Sequence, residues 1–319
     1  MAAELPQALR SRLEALAEGR SGRMLSERSA AISEHYRAFR PSSGQIAAGD
    51  DALAYAMSRM PATYAAVLSA LDAADARLAD FSPKTLLDAG TGPGTASWAA
   101  LSQWPDIDAV TMMDHSPDFL KLAQALLPDA EVLRSDLLGA PLGERTFDLV
   151  TAGYVLTELA DERLPAAVEA LWARTAGLLV IVEPGRPRDY ERLMRVRDLL
   201  IAASGQVVAP CPHEKACPLP EGDWCHFSVR LQRSREHMRM KGAVLPYEDE
   251  KFSYLVVARP GLALHPAQSR IIAPAERSKF AIELPLCTEN GLQRLSIAKR
   301  DPERFRIARK LDWGDTWPA

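Results

Sequence analysis

Residues 86–95 read LLDAGTGPGT, and they are the most informative segment of this 319-residue sequence. An apolar run ends near an acid, Asp88, and leads into a turn with glycine at every second position, Gly90, Gly92 and Gly94. Glycine lets the backbone approach a ligand where a Cβ atom would collide, and N–H groups at the start of a following helix point toward that ligand. The segment therefore predicts a buried strand, a ligand-binding turn and a helix.

Strand and helix patterns alternate from residue 85 to residue 184, which is typical of a parallel sheet with crossover helices. The predicted strands cover residues 85–89, 109–113, 131–134, 147–152 and 178–183. The predicted helices between them cover residues 95–104, 117–127 and 164–174. These elements predict an α/β fold with a doubly wound sheet, in which the strand ends meet at one ligand-binding edge.

The rest of the chain is predicted to flank this core. Residues 1–80 have apolar side chains at helical spacing, with a break at Pro61, and predict a helical N-terminal region. Residues 81–200 form the predicted core. Residues 201–319 form a predicted C-terminal extension, with strand-like runs at residues 252–258, 270–272, 280–284 and 292–298.

The composition is that of an ordinary globular protein, with 47% hydrophobic and 25% charged residues. No apolar run reaches the roughly 18 residues of a membrane span, and the polar N-terminus is unlike a secretory signal, so we expect a cytoplasmic protein without a membrane partner. The net charge of −4 argues against a uniformly basic nucleic-acid coat, and we expect no DNA partner. Residues 181–319 hold 23 Lys and Arg against 18 Asp and Glu, so an anionic partner is expected at the C-terminal half.

The glycines and the acids near the ends of the predicted strands distinguish between two kinds of nucleotide-binding site. A dinucleotide fold needs G-x-G-x-x-G and an acid about twenty residues later, and this chain has the acid, Asp114, without the later glycine. The pattern D-x-G-x-G-x-G instead resembles motif I of class I methyltransferases that use S-adenosylmethionine (SAM). This resemblance implies that Asp114 holds the ribose hydroxyls and that Asp136 lies near the adenine. It implies a donor-binding turn made of Asp88, Gly90, Thr91, Gly92 and Gly94.

Two alternatives to a methyl-donor site stay open. A nicotinamide cofactor is the first, and an empty structural turn, in which the three acids serve as helix caps, is the second. The sequence identifies no catalytic group. Amino-group methylases of nucleic acid resemble one another in Asn/Asp-Pro-Pro-Tyr/Phe after the fourth strand, where this chain has 153-GYVLTE-158, and no cysteine precedes Cys211 as a cytosine C5 methylase would require. Tyr154 and Glu158 are candidates for lining a substrate pocket, although Glu158 is equally explained as a helix cap.

The four cysteines predict a metal centre. Three of them lie within fifteen residues, in a loop rich in proline and other turn formers that can wrap a metal. Four thiolates permit zinc or a [4Fe–4S] cluster, and the spacings of five and seven intervening residues fit the larger cluster better than the closer pairs typical of zinc. Zinc on three cysteines with His213 or His226, and buried free thiols, remain alternatives. The cysteines are Cys211, Cys217, Cys225 and Cys287.

Three segments resemble the mitochondrial small-ribosomal-subunit Rsm-type family, which includes bacterial homologues. They are 51-DALAYAMSRMPATYAAV-67, 211-CPHEKACPLPEGDWCHFSVRLQRSREHMRMKGAVLPYEDEKFSYLVV-257 and 309-RKLDWGDTW-317. The resemblance implies a class I methyltransferase fold, association with the small ribosomal subunit during its assembly, and a [4Fe–4S] cluster on the four cysteines. Such a cluster would fix the strand near Cys287 to the cysteine loop.

A basic stretch beside the cysteine loop predicts contacts with RNA phosphates. Its candidates are Arg230, Arg233, Arg235, Arg239 and Lys241, and further cations near the C-terminus are Arg304, Arg306, Arg309 and Lys310. A solvated helix face is the alternative. The sequence as a whole predicts a SAM-dependent rRNA methyltransferase that acts on the small ribosomal subunit. A non-catalytic, SAM-binding assembly factor with an iron–sulfur cluster is the rival, and a redox-responsive role for the cluster is a third hypothesis.

Overall fold

The computed structural model of the chain describes residues 4–37, 49–139, 142–265 and 267–318. The helices are α1 (Gln7–Ala17), α2 (Gly22–Arg37), α3 (Gly49–Asp75), α4 (Thr95–Gln103), α5 (Pro117–Leu126), α6 (Leu164–Arg174), α7 (Pro187–Ala202), α8 (Arg235–Lys241) and α9 (Pro302–Ala308). The strands are β1 (Thr85–Ala89), β2 (Ala109–Asp114), β3 (Glu131–Arg134), β4 (Phe147–Gly153), β5 (Thr175–Pro184), β6 (Gln206–Ala209), β7 (Phe227–Gln232), β8 (Tyr247–Ala258), β9 (Ser269–Ile271), β10 (Glu276–Arg277), β11 (Ala281–Thr288) and β12 (Gly291–Ala298).

The main sheet has the strand order β3-β2-β1-β4-β5-β8-β6, and its first five strands are parallel. Along β5, Leu178, Val180 and Val182 belong to one buried apolar cluster, and Leu179 and Ile181 belong to another. Because both faces of the strand are buried, helices must cover both sides. Residues of α3, α4 and α5 contribute to the first cluster, and residues of α6 and α7 contribute to the second. The predicted doubly wound sheet is therefore confirmed.

The predicted break at Pro61 is wrong, because α3 continues through this residue from Gly49 to Asp75. An interior proline costs a helix about 3 kcal/mol. The helix packs against α4, β5 and β8, and it buries apolar side chains on both sides of the proline, including Met60 and Tyr64. This tertiary packing outweighs the local penalty. Residues 38–48 of the predicted helical N-terminal region lie outside the described residues.

The main sheet extends beyond residue 200. Strand β8 runs antiparallel to β5, and β6 and β7 pair along its other edge. The strand predicted at residues 252–258 begins earlier, at Tyr247, because the charged residues that open β8 pair with β7. A separate sheet of β9, β10, β11 and β12 packs with α9 around Leu284 and Ile297. The division of the chain at residue 200 stays a prediction. None of the helices in the described part of the chain is long and apolar enough to cross a membrane.

Candidate functional site

The glycine turn lies between β1 and α4, as the sequence predicts. Gly90, Gly92 and Gly94 all have positive φ angles, of 73°, 52° and 86°. A Cβ atom on Gly90 would lie 2.4 Å from a methyl carbon of Val155, so this position also has no room for a side chain. The backbone N–H groups of Gly90 and Thr91 donate to the Met113 carbonyl at 2.8 and 3.0 Å. The turn is thereby fixed to the end of β2.

Asp88 is buried beneath this turn and shapes it from inside. Its Oδ2 atom accepts hydrogen bonds from the Thr91 hydroxyl at 2.7 Å and from both the backbone N–H and the hydroxyl of Ser97, at 3.0 and 2.7 Å. Its Oδ1 atom accepts from the Thr151 hydroxyl at 3.0 Å. Burial raises the pKa of Asp88, and these hydrogen bonds act in the opposite direction. The acid therefore connects the turn, the start of α4 and strand β4.

Asp114 connects the ends of two neighbouring strands. Its Oδ2 atom accepts a hydrogen bond of 2.8 Å from the Gly92 backbone N–H, and its Oδ1 atom accepts one of 2.8 Å from the Ser116 backbone N–H. An ionised carboxylate offers about four lone-pair sites. Two of them are used by these backbone donors, so the carboxylate retains acceptor capacity toward a ligand.

A cavity with about 670 Å³ of empty space opens at this edge of the sheet, and we call it the donor cavity. Of the predicted site residues, it brings together Asp88, Gly90, Thr91, Gly92 and Asp114. Gly94 and Asp136 are absent from its wall. Gly94 is the N-cap of α4, and Asp136 forms an ion pair of 3.0 Å with Arg163 at the protein surface.

Part of the donor cavity wall comes from residues that the glycine-turn motif does not predict. Tyr55, Thr63 and Val67 of α3 contribute to it, and Phe119 of α5 contributes beside Asp114. These residues lie in ordinary amphipathic helices, so their sequence pattern predicts burial but not a ligand site. Only the packing of α3 across the sheet brings them to the glycine turn.

A second, larger cavity adjoins the donor cavity, and we call it the outer cleft. It has about 2850 Å³ of empty space and shares Tyr55, Tyr154 and Glu158 with the donor cavity. Tyr154 follows β4 with a φ of 60°, a conformation that is rare for a residue with a side chain. Its hydroxyl donates to Glu250 Oε1 at 3.1 Å, and Arg59 contacts the same oxygen at 3.2 Å. These three side chains form a polar contact where the two cavities meet.

Glu183 is a buried carboxylate that the sequence did not single out. It lies at the end of β5, and it accepts hydrogen bonds from the backbone N–H groups of Leu156 at 2.9 Å and Thr157 at 3.0 Å. Burial raises the pKa of Glu183 to about 8, and the nearby charge of Asp189 adds to the shift. Glu183 therefore positions the segment that follows Tyr154 and carries Glu158.

The four cysteines border one apolar cavity, although they come from separate parts of the chain. Three lie in the loop between β6 and β7, and Cys287 lies in β11. The Tyr190 hydroxyl donates to Cys217 Sγ at 3.1 Å, and Cys287 Sγ lies 3.6 Å from His213 Nε2. Burial, together with the neighbouring thiols, raises the pKa of Cys287 to about 12. Among the described residues, no group of three or more His, Cys, Asp or Glu side chains is close enough to hold a single metal ion.

Three of the five predicted RNA-contact residues are paired with acids of β8. Arg230 binds Asp249 through two hydrogen bonds of 2.7 Å. Arg233 and Lys241 share Glu248, at 3.2 and 2.6 Å. The side chains of Arg235 and Arg239 are exposed, as are the cations near the C-terminus, Arg304, Arg306, Arg309 and Lys310.

The glycine turn, the acids at the ends of β1 and β2 and the doubly wound sheet define a protein of the class I methyltransferase fold. In sequence, the chain is 29% identical over 173 residues to demethylmenaquinone methyltransferase of Roseiflexus castenholzii, which covers 46% of this chain and 69% of that enzyme. Among solved structures, magnesium protoporphyrin IX methyltransferase of Synechocystis PCC 6803 with bound SAM matches 71% of this chain and 90% of its own, at 17% identity and a TM-score of 0.42.

The particular family is identified by a match over nearly the whole chain. Residues 49–318 match the family "Mitochondrial small ribosomal subunit Rsm22", and the chain belongs to this family. The human mitochondrial ribosome assembly protein METTL17 is 29% identical over 289 residues, which cover 84% of this chain and 62% of that protein. A mitochondrial Rsm22-cox11 tandem protein of Schizosaccharomyces pombe is 26% identical, over 88% of this chain and 45% of that protein. The chain thus spans only part of these curated relatives.

Proposed function

We propose that this chain binds SAM in the donor cavity and acts in the assembly of the small ribosomal subunit. The observation that carries the SAM assignment is the position of Asp114, which touches the Gly92 backbone at 2.8 Å and also lines the cavity. On this proposal its remaining lone pairs accept hydrogen bonds from the ribose hydroxyls, and a carboxylate gives such bonds added strength. Family membership supports the role in assembly. We also propose that the protein works in the cytoplasm.

Methyl transfer to rRNA is the finer proposal. Transfer from a sulfonium donor depends mainly on in-line positioning, and the outer cleft adjoins the donor cavity where an acceptor could enter. Tyr55, Tyr154 and Glu158 line both cavities, and on this proposal they orient an acceptor. SAM carrying a labelled methyl group, incubated with the protein and with small-subunit precursors, tests this. Label transferred to rRNA by the wild type but not by Asp114→Ala supports an enzyme.

A non-catalytic assembly factor is the second candidate, and the state of Tyr154 favours it. The hydroxyl is already bonded to Glu250, and desolvation together with that carboxylate raises its pKa well above the usual value. Tyr154 therefore stays protonated and cannot serve as a general base near neutral pH. Bound SAM without any transferred label would rule out methyl transfer to rRNA and support the non-catalytic assembly factor.

On the proposed function, the four cysteines hold a [4Fe–4S] cluster, with zinc as the alternative. All four thiols line one cavity, yet none of the described side chains is arranged for a single ion, whose ligands would have to lie about 2.0–2.3 Å from it. The spacings of five and seven residues between the three loop cysteines support a multi-iron cluster over zinc. Bound there, the cluster would link the cysteine loop to β11 and thereby stabilise the C-terminal sheet. Iron, sulfide and zinc analysis of anaerobically purified protein tests the assignment, and one zinc per chain without iron would reject it.

The proposed RNA-contact surface includes only part of the basic stretch predicted from the sequence. Arg230, Arg233 and Lys241 have carboxylate partners, which offset their attraction for phosphate. Exposed Arg235 and the cations around α9 lie outside these pairs and are the stronger candidates. Binding through them would weaken as salt rises, because phosphate contacts release counterions.

A further inference from the structure

Two buried arginines flank the cavity that the four cysteines line. Arg197 of α7 is 2% exposed, and Arg270 of β9 is 4% exposed. Arg270 lines the cavity directly and is the cross-strand partner of Cys287 in the β9–β11 pair. Charged side chains are rarely buried this deeply without a partner of opposite charge. Their position therefore requires an explanation.

The hydrogen bonds of these arginines leave their charges uncompensated. Arg197 Nη2 donates to the carbonyls of His213 and Lys215 at 2.8 and 2.9 Å, and Arg270 donates to those of Pro210 at 3.0 Å and Gly314 at 2.6 Å. All of these acceptors are neutral. Within the described part of the chain, Arg197 Nε and Arg270 Nη2 are buried with no hydrogen-bond partner.

Carboxylates do not supply the missing charge. The acid near Arg197 is Asp198, whose carboxylate lies 3.6 Å from Nη1 and is 76% exposed, so solvent screens it. Arg270 forms no ion pair with any described residue of the chain. The thiols lie beside Arg270 and can become anionic, since Arg270 and all four cysteines line the same cavity and Arg270 pairs across the strands with Cys287.

We propose that Arg197 and Arg270 are the built-in countercharges of an anionic, sulfur-ligated centre on Cys211, Cys217, Cys225 and Cys287. This inference rests on the proposed metal centre. Four thiolates give either a [4Fe–4S] cluster or a zinc ion a net negative charge, so the two guanidinium groups stabilise the loaded protein. The Tyr190 hydroxyl at Cys217 supplies a neutral hydrogen bond to the same centre. Hydrogen bonds to the sulfurs and the local charge set the reduction potential of such clusters.

The test compares Arg270→Met and Arg197→Met with a matched control, Arg259→Met. Arg259 also donates to two backbone carbonyls, those of Thr175 and Trp172 at 2.8 and 2.6 Å, but it is not part of the cysteine cavity. We expect the first two variants to lose iron to a chelator roughly 10–100-fold faster than wild type, as for other groups that support metal ligands. We expect their cluster to be reduced at a lower potential, because reduction adds negative charge that the lost cation no longer offsets.

Thermal unfolding separates a countercharge from a purely structural role. Arg270→Met should lower the melting temperature of the loaded protein more than that of the metal-free protein, whereas Arg259→Met should lower both equally. Arg270→Lys keeps the positive charge and should recover most of the potential, and it serves as the test if Arg270→Met does not fold. Equal losses in the loaded and metal-free forms, or chelation rates like those of the control, would overturn the inference.

A failure of the countercharge inference can be distinguished from a failure of the iron assignment. Metal analysis of the wild type decides between iron and zinc before any variant is compared. Should the protein contain zinc, the [4Fe–4S] assignment fails, but the chelation rates and melting temperatures still test the countercharges, because a zinc tetrathiolate is also anionic. A wild type that binds neither metal would refute the inference together with the metal centre.

Discussion

Asp114 Oδ2 lies 2.8 Å from the backbone nitrogen of Gly92, so the acid at the end of β2 holds the glycine turn at the end of β1. One carboxylate thus has two tasks, since it fixes the turn and lines the donor cavity. On the proposed function, the shape of the turn and the affinity for a donor therefore depend on the same side chain.

Asp114→Ala should weaken SAM binding by at least about 2 kcal/mol, roughly thirtyfold, because the proposed charge-assisted hydrogen bonds to the ribose would be lost. Isothermal titration calorimetry measures this loss, and circular dichroism checks that the fold is retained. Asp136→Ala is the informative comparison, since this acid pairs with Arg163 and is absent from the cavity wall. Unchanged affinity for Asp114→Ala would refute the ribose assignment.

Gly90→Ala should lower the free energy of unfolding by about 2 kcal/mol or more, because the residue has a φ of 73° and its Cβ would lie 2.4 Å from Val155. Gly92→Ala is the matched control, since its φ is also positive but no atom lies within 4 Å of the added carbon. Urea denaturation compares the two. Adding Val155→Ala to Gly90→Ala should restore part of the loss, and no restoration would mean that steric contact is not the cause.

The stability of the protein should depend on pH through Glu183. Its pKa is raised from 4.5 to about 8, so the folded state binds a proton that the unfolded state has released between these values. The contribution of this residue to stability is therefore fully present below about pH 4.5 and is lost as pH rises to about 8. As pH rises from 5 to 9, the unfolding free energy of the wild type should fall relative to that of Glu183→Gln. A constant difference would contradict the shifted pKa.

Cys217→Ser should abolish the visible absorbance of an iron–sulfur centre in anaerobically purified protein. The melting temperature should fall by about 3 °C, as when about 2 kcal/mol is lost from a chain of this size. His213→Ala is the control, because its Nε2 lies 3.6 Å from Cys287 and it would be a ligand only in the alternative site of three cysteines and one histidine. If His213→Ala removes the metal as completely as Cys217→Ser does, the four-cysteine assignment is wrong.

Arg235→Glu combined with Arg306→Glu should weaken binding to small-subunit RNA more than Arg230→Ala does. All three side chains are exposed, but Arg230 already binds Asp249 at 2.7 Å. Filter binding at several salt concentrations measures both affinity and its salt dependence, and each lost phosphate contact should reduce the slope by about 1. If Arg230→Ala weakens binding as much as the double variant does, the contact surface also includes β7, which carries Arg230.

Local sequence was sufficient for the strand-turn-helix unit and for most of the sheet, but not for the neighbours of each site. Residues 248–251 are charged and gave no strand signal, yet they belong to the first half of β8 because β7 pairs with them. The acids among them neutralise part of the basic stretch, which sequence alone assigned to RNA. Likewise, the pattern of α3 predicts helix breakage at Pro61, and only its burial against the sheet explains why the helix continues.

The sequence by itself determined the glycine turn, the acids at the strand ends, the family and the identity of the four thiols, because each is encoded by residue type and short spacing. Tertiary structure alone decided that Cys287 meets a loop 74 residues away at His213, that α3 closes the donor cavity, and that Arg197 and Arg270 lie buried beside the thiols. The physical reason is that periodicity and spacing report on neighbours within a few residues. Burial, charge pairing and cavity walls depend instead on segments that only packing of the sheet and helices brings together.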